Sequence, residues 1–486
     1  MARPSFLDSG YNFTLKIGGR DLHDFGVVAI SAPQLNMSPV DVPFDVFPSR
    51  HVAVASTGAF RPSPFTITGQ IAAGTVAALR TNLDAFKASA ISLRGSGFDL
   101  VTPLRLETAD YTDRYFPVVY TGGFTASAVG TNPTGQVIAN FTLPLIRLTP
   151  FAIATSTTEA TPTASGASFE VLTAGTAPSA PVIEIQGAST TPSFYITDMS
   201  FYADFDYNLQ YTKIDGSTAN GASTAGTPID QFQPGDISGG RYAQAATFTT
   251  SFASVIQNPT EGTVILWVRP QFGITAADQV LFEFYIDGSN KIYIGWDNSD
   301  DDWVFTKTIG GAAVTLNTTT ASTHTSDDVI ALAFSYGGDN MKIYVDGGAV
   351  SSNSTSTGIT GASGTVYLGD QAAGSRPACE YDQVAMIPFQ LDDDTVRRYM
   401  GTPELVRPYS VNKVRSGTIA ANDRAVLDFE KGTATHVDDS ALAHTNDLAN
   451  WDTNGWPLIR PPKTCFYLPS GESASSILIN YKKRYV

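Results

Sequence analysis

The chain has 486 residues, enough for about three domains. It is 42% hydrophobic and only 16% charged, with 46 acidic residues against 30 basic ones and a formal net charge of -16. That balance repels phosphate backbones and leaves no basic cluster for an anionic lipid surface, so neither nucleic acid nor membrane insertion is expected.

The opening residues, MARPSFLDSGYNF, lack the basic-then-apolar order of an export signal, and no later run approaches the ~20 apolar residues that span a bilayer. Phe13, Leu15 and Ile17 alternate with polar neighbours, the period of a half-buried strand, and Phe65, Ile67, Gly69 and Ile71 repeat it. Between them, Ser38–Pro64 carries Pro39, Pro43, Pro48, Pro62 and Pro64. Proline cannot donate to a central ladder, so this stretch reads either as a solvated loop or as an extended arm reaching a neighbouring subunit. Thr75–Ser89 is a helix by spacing, with Val76, Leu79, Leu83 and Phe86 on one face. Strands at Tyr115–Tyr120, Val137–Phe141 and Leu143–Leu148 complete an N-terminal domain of residues 1–152.

Residues 153–167 are rich in Ser, Thr, Ala and Pro and read as a linker, and Gly216–Thr227 is a second such stretch. Between them Ser168–Tyr211 holds short alternating strands, among them Val182–Ile185 and Phe194–Ile196. They are too few for a sandwich and need partner strands from elsewhere. From Gly240 to about Met400 the rhythm is complete in itself. Thr263–Arg269, Val280–Ile286, Lys291–Trp296, Trp303–Lys307, Val329–Tyr336, Met341–Val345, Thr365–Leu368 and Gln383–Ile387 are strand-like and separated by polar turns, the pattern of a β-sandwich. A short helix is expected near Asp392, with acidic residues at its dipole-positive end. Short strands resume after Ser416, at Ala425–Phe429 and Ser476–Tyr485. The expected fold class is mainly β. An N-terminal β domain with one helix is followed by a discontinuous C-terminal β-sandwich (168–215 plus 406–486), interrupted by a complete sandwich at 228–405. Cys379 and Cys465 fall in different expected domains and read as buried thiols. The histidines (His23, His51, His324, His436, His444) have no zinc-motif spacing.

Three stretches resemble siphophage distal tail proteins. Phe13–Val27 (FTLKIGGRDLHDFGV) is similar to that family's first strand and turn. Ser168–Ile196 is similar to the opening of its C-terminal sandwich, where Gly-Thr, then Ala-Pro, then a short strand ending in Gly recurs. Trp456–Val486 resembles its closing strands, with Tyr467-Leu468-Pro469-Ser470-Gly471 and an aromatic-basic end, although Pro461-Pro462-Lys463 stands where Pro-Gly-Asn is more usual. The resemblance implies a virion protein, made in the host cytoplasm, that forms a ring at the tail tip. Such rings are typically hexameric and join the tail tube protein to the host-facing hub and fibre proteins. Cyclic closure requires a heterologous, self-closing interface. The middle segment resembles laminin-G-like or concanavalin-like jelly-roll sandwiches. Gly240–Phe248 matches their entry strand, Thr263–Pro270 their buried-Trp strand, and Ile343–Gly347 their late hairpin. Val366–Gly369, Tyr381–Ile387 and Leu391–Tyr399 match their closing sequence.

For the inserted domain this implies binding of host-surface carbohydrate. Sugar rings stack their C–H faces on aromatics, and their hydroxyls pair with Asp and Asn. Trp296, Asp297, Asn298, Asp300 and Trp303 offer both kinds of group on one hairpin. The competing reading is that Trp296 continues the core face of Ile292 and Ile294 and that the acidic run is a solvated turn. Asp297, Asp300 and Asp302 are also candidate calcium ligands, since hard cations take clustered carboxylate oxygens, but the run lacks the EF-hand Gly and terminal Glu. No other cofactor is expected. Trp267, flanked by Ile265 and Val268 in an apolar strand, reads as core. The rival from another class is a glycan hydrolase, which needs two carboxylates about 5–9 Å apart. Glu283, Asp287, Glu380 and Asp382 are the nearest candidates, and they lack the alternating Glu-x-Asp-x-x-Glu arrangement. With no nucleophile triad, phosphate loop or HExxH motif either, the expectation is that the protein is not an enzyme. Decoration of the tail, or contact with another tail protein, is the remaining alternative for the insert.

Overall fold

The computed structural model describes residues 15–17, 20–30, 40–41, 44–47, 52–55, 59–60, 63–90, 93–94, 97–98, 104–108, 111–162, 168–188, 192–205, 209–223, 233–234, 241–245, 250–270, 278–318, 324, 328–337, 340–353, 358–369, 379–403, 406, 408–452, 455–469 and 474–485. Among them the protein is mainly β, with antiparallel sheets and two α-helices, α1 (Val76–Ala90) and α2 (Asp393–Gly401). No described helix is long and apolar enough to cross a membrane. The chain divides into two compact units: Met1–Thr158 with Gly175–Ser179 and Lys482–Val486, and Glu159–Ala174 with Ala180–Tyr481.

In the first unit, Val137–Arg147 pairs along its length with Ser63–Ala73. Ala139, Phe141, Leu143 and Leu145 point to one side and are buried, as the period of two requires. α1 covers that side. Its Phe86 meets Phe25, Phe124 and Phe141 at centroid distances of 5.8, 5.7 and 5.1 Å. Val76, grouped with this face by spacing, is the first helical residue and is 54% exposed. Within the proline-rich stretch, Val40–Asp41 pairs with Ala59–Phe60 and Phe44–Phe47 with Val52–Ala55. The described part of that stretch is therefore paired strand, ending in the first residues of Ser63–Ala73; the rest lies outside the described residues.

The expected linker and the expected last strand both need correction. Ala152–Ala154 pairs with Tyr111–Tyr120 and with Arg484–Tyr485, so the end of the chain completes the first unit. The N–H groups of Thr176 and Ala177 donate to the Arg484 carbonyl, and the Arg114 guanidinium lies 3.7 Å from the Tyr485 ring centroid. Thr158–Ala160 is a strand as well. Ser/Thr-rich composition did not prevent pairing because the buried methyls of Ala152, Ala154 and Ala160 suffice for an inward face. Residues 163–167 of that linker lie outside the described residues.

In the second unit, strands from both sides of the insertion share two sheets. The six-stranded sheet runs Thr158–Ala160, Ala474–Tyr481, Val182–Ala188, Asp423–Asp428, Thr433–Asp438, Ala443–Asn446. The four-stranded sheet runs Ser168–Leu172, Thr464–Leu468, Ser193–Thr197, Ser410–Val414. Ile183 faces Ile479 on one neighbour and Leu427 on the other. Ile183, Ile185, Phe194, Ile196, Phe466 and Ile477 belong to the core between the sheets.

The inserted sandwich has a longer and a seven-stranded sheet. Gly262–Pro270 lies at the centre of the longer one, between Cys379–Ile387 and Ile330–Gly337. This sandwich starts earlier than the expected residue 228. Phe201–Ala203 pairs with Cys379–Ile387, Gln210–Lys213 and Thr218–Asn220 extend the same sheet, and Ala222–Ser223 joins the other. The reason is aromatic burial. Phe201, Phe205 and Tyr211 pack around Phe252, and the Tyr211 hydroxyl donates to the Ala253 carbonyl at 2.6 Å. Within the described part of the second expected linker, Thr218–Asn220 and Ala222–Ser223 are thus strands. Of the expected entry strand, Arg241–Ala245 is a strand and 246–248 lie outside the described residues.

Gly262–Pro270 is buried on both faces. Val264, Leu266 and Val268 enter the core between the two sheets. Ile265 and Trp267 enter a second core with Val396 and Met400 of α2 and with Cys465 and Tyr467 of the interrupted sandwich. The side chain of Asp392 caps α2 by accepting from Thr395 N at 2.8 Å, and Trp267 Nε1 donates to the Met400 carbonyl at 3.2 Å. Both cysteines are buried and unpaired with each other.

Candidate functional site

The acidic hairpin is where the sequence placed a ligand. Asn290–Asp297 and Asp302–Ile309 pair so that Trp296 stands opposite Trp303. Both rings are only 1% exposed, 5.1 Å apart and edge-to-face, with the His324 ring 4.6 Å from one and 4.8 Å from the other. The inward alternation Ile292, Ile294, Trp296 continues across the turn to Trp303 and Phe305. Trp296 and Trp303 are therefore core, which corrects their expected role as a sugar-stacking platform.

The carboxylates of the turn hold the turn. Asp297 Oδ1 accepts from Ser299 N at 2.8 Å and Ser299 Oγ at 2.6 Å, and these bonds hold its carboxyl below the usual range. Asp278 Oδ1 accepts from Asn298 N at 3.0 Å, and Asp300 Oδ2 accepts from Asn317 Nδ2 at 3.2 Å. Asp302 is buried and accepts from Thr318 Oγ1 at 2.7 Å. Among the described residues no group of three or more His, Cys, Asp or Glu is placed to hold a metal ion, so Asp297, Asp300 and Asp302 are not gathered as calcium ligands. Asn298 and Asp300 remain exposed.

The carboxylates weighed for hydrolysis fall on different elements, except that Glu380 and Asp382 share the strand Cys379–Ile387. Glu283 lies in the seven-stranded sheet, 3.1 Å from Lys291 Nζ, and Glu380 in the longer one, 3.1 Å from Arg269 Nη1. Asp287 accepts from Ser289 N at 2.7 Å in its turn, and Asp382 is fully buried.

The structure shows a different concavity, a cleft of about 640 Å³ within the second unit. Asn340 and Lys342 of the strand Asn340–Val345 line one side. Leu391 and, from α2, Asp393, Asp394 and Arg397 line the next wall. Pro462 and Lys463, from the turn before Thr464–Leu468 of the interrupted sandwich, complete it. Lys342 Nζ lies 2.6 Å from Asp393 Oδ1, which also accepts from the Tyr344 hydroxyl at 3.0 Å. The Lys342 bond holds the Asp393 carboxyl below its ordinary range, whereas burial pushes the Tyr344 hydroxyl up. Arg397 pairs with Asp394 at 3.1 Å and donates to the Gly347 carbonyl. Gln390 Nε2 donates to Asn340 Oδ1 at 2.7 Å. Glu261 Oε2 accepts from both Gln390 N (2.9 Å) and Lys463 Nζ (3.2 Å), tying the two sandwiches together at the rim.

Sequence reasoning missed this cleft because its walls come from three separated stretches, none with a motif. The one signal was Pro461-Pro462-Lys463, the point where the chain departs from the tail-protein pattern it otherwise resembles.

The profile described as the Concanavalin A-like lectin/glucanases superfamily, Laminin_G_3, matches residues 238–397. This segment is a concanavalin-like domain. No curated protein matches the chain. Among solved structures, domain 4 of AbnA, a GH43 extracellular arabinanase from Geobacillus stearothermophilus determined with arabinotriose, is 18% identical, covering 42% of this chain and 98% of its own, with a TM-score of 0.34. The binding domain of Paraclostridial Mosquitocidal Protein 1 is 14% identical over 42% of this chain and 52% of its own, with a TM-score of 0.33, so the match spans about half of that protein's length. SPP1 Dit (gp 19.1), described as a paradigm of the hub adsorption apparatus in phages infecting Gram-positive hosts, is 12% identical over 78% of this chain and 99% of its own, with a TM-score of 0.27.

Proposed function

We propose that the chain is a structural distal tail protein of a long-tailed bacteriophage, and that its inserted lectin-like sandwich binds carbohydrate on the host surface. The observation that carries this reading is the interrupted sandwich. Strands before residue 200 are completed by strands after residue 409, and the insert is fastened to them through a second core. An insert fastened in this way suits a ring subunit that presents a receptor-binding module rigidly. The resemblances at Phe13–Val27, Ser168–Ile196 and Trp456–Val486 supply the tail-tip role. The 238–397 profile match supports the lectin-like part. Its partners on this reading are further copies in a ring of six, the tail tube protein, hub or fibre proteins and a host glycan. Several copies in one ring turn weak sugar affinity into useful avidity. The role requires no catalytic step and no cofactor.

The ring is tested by light scattering on the purified chain and by immunogold labelling of particles. The expected species is six copies of the 51.7 kDa chain, with label at the tail tip. A monomer at high concentration that never labels tail tips sinks the ring. The profile's description also covers glucanases. Turnover of host polysaccharide abolished by Glu380→Gln would replace binding with hydrolysis.

A further inference from the structure

We propose that the cleft between α2 and the Pro461-Pro462-Lys463 turn is the protein's carbohydrate site, and that it takes a neutral glycan segment. This rests on the reading of the inserted domain as a carbohydrate binder. It places the site where neither sandwich could form it alone, since Pro462 and Lys463 belong to one and the remaining wall to the other.

Size and chemistry carry the assignment. A volume of about 640 Å³ falls within the ~300–1,000 Å³ of small-molecule sites. Three cations reach the cleft, and each already faces a carboxylate: Lys342 with Asp393, Arg397 with Asp394, Lys463 with Glu261. An anionic ligand would meet the carboxylate beside each cation, and a cationic ligand the cation beside each carboxylate, so neither charge is favoured. What remains is a surface of alternating donors and acceptors. A sugar hydroxyl both donates and accepts, so it can join such a pair at its edge without breaking it, through charge-assisted hydrogen bonds. The partly exposed Pro462 ring supplies apolar surface for a C–H face.

The walls are also fixed in advance. Asp392 caps α2, Trp267 holds the Met400 carbonyl at the other end of that helix, and Glu261 ties Gln390 to Lys463. A site ordered before binding avoids most of the entropy that ordering would cost. The acidic hairpin lacks this combination, because its two tryptophans face inward.

The test uses the full chain on an array of neutral and anionic oligosaccharides of several sugars, followed by calorimetric titration of the strongest probe. Asp394→Ala and Lys463→Ala are each expected to weaken that probe by about tenfold or more, the scale of a lost charged hydrogen bond. Asp300→Asn in the hairpin is expected to leave affinity unchanged. Asp394 is largely exposed, so its variant should keep the melting temperature and separates lost binding from lost folding. Binding that survives both cleft variants, or that falls only in Asp300→Asn, overturns the site while leaving carbohydrate binding intact. Binding of anionic probes alone overturns the neutral class. If the unaltered protein binds no probe and no host cell-wall polysaccharide, the carbohydrate reading itself fails, and this site with it.

Discussion

Trp267, Trp296 and Trp303 are all buried, each about 1% exposed, the first in the second core beneath α2 and the other two inside the inserted sandwich, although only the first lies in an unbroken apolar run. For the other two the alternation was legible from Ile292 and Ile294, and the acidic turn between them pulled the reading toward solvent. Trp303→Ala is expected to cost about 3–5 kcal/mol, measured as a shift of the urea midpoint. A variant that loses glycan binding at unchanged stability would restore Trp303 as a surface group. Asp198 makes a second case, at the point where the chain leaves the interrupted sandwich. Its backbone N–H donates to the Tyr409 carbonyl, and Tyr409 N donates to its Oδ1 at 2.7 Å, so it joins the departing and returning strands. Burial pushes its carboxyl from 3.8 up to about 7, against the lowering pull of the Tyr409 N–H and of Arg460. The folded state therefore holds this proton more tightly than the unfolded chain. The stability it contributes is fully present below pH 3.8 and is lost as pH rises through about 7. Asp198→Asn keeps the acceptor and removes the ionisation. Its melting temperature is expected to exceed that of the unaltered protein at pH 8, with the gap closing toward pH 4. A gap independent of pH would show that Asp198 does not titrate in this range.

The strand Ser410–Val414 runs directly into Arg415, and that residue organises the following elements. Its guanidinium meets Asp447 twice, Nε to Oδ2 at 2.8 Å and Nη2 to Oδ1 at 3.0 Å, with both side chains buried. Asn450 Nδ2 and Trp451 Nε1 also donate to Asp447, and Arg415 Nη1 donates to the Gly417 and Thr418 carbonyls. Burial pushes the Asp447 carboxyl up, but the Arg415, Asn450 and Trp451 donors outweigh it and the net shift is downward. The pair's stability is thus present above the ordinary carboxylate range and lost as pH falls through the lowered value. Asp447→Ala leaves a buried guanidinium half-satisfied and is expected to cost about 3–5 kcal/mol in urea unfolding at neutral pH. A cost under about 1 kcal/mol would place the pair among surface bridges instead. Nothing in the sequence marks these two residues as partners, because an ion pair between distant positions has no periodicity. The strands that flank them, Ser410–Val414 and Ala443–Asn446, were not read from the sequence either, whereas the core strands with alternating Ile and Phe were. Other missed strands, Ala152–Ala154, Thr158–Ala160 and Thr218–Asn220, are short and lined by alanine or polar residues, so their pairing depends on neighbours far along the chain.

The run TVILWVR is the sequence signature of a strand buried on both faces, and so it is here. What covers its second face was not legible, because α2 and the strand Thr464–Leu468 arrive only after the sandwich is finished. That cover decides how the molecule unfolds. Ile265, Trp267, Val396, Met400 and Tyr467 each gain about 1.5–3 kcal/mol from burial. Their sum is comparable to the whole ~5–15 kcal/mol that stabilises a domain. Separating the inserted sandwich from its host would forfeit much of it. A fragment of residues 238–397 would do worse, since it also lacks Phe201, Phe205 and Tyr211 from the inner core. Such a fragment is expected to aggregate or to bind an apolar dye strongly. In the full chain, calorimetry is expected to show both sandwiches of the second unit melting in one transition, and Val396→Ala on α2 should shift all of it. Two resolved transitions for the second unit, only one of them moved by Val396→Ala, would mean that the insert is an independent module. The cleft beside α2 would then be a gap between loosely joined parts, because its rigidity depends on the same shared core.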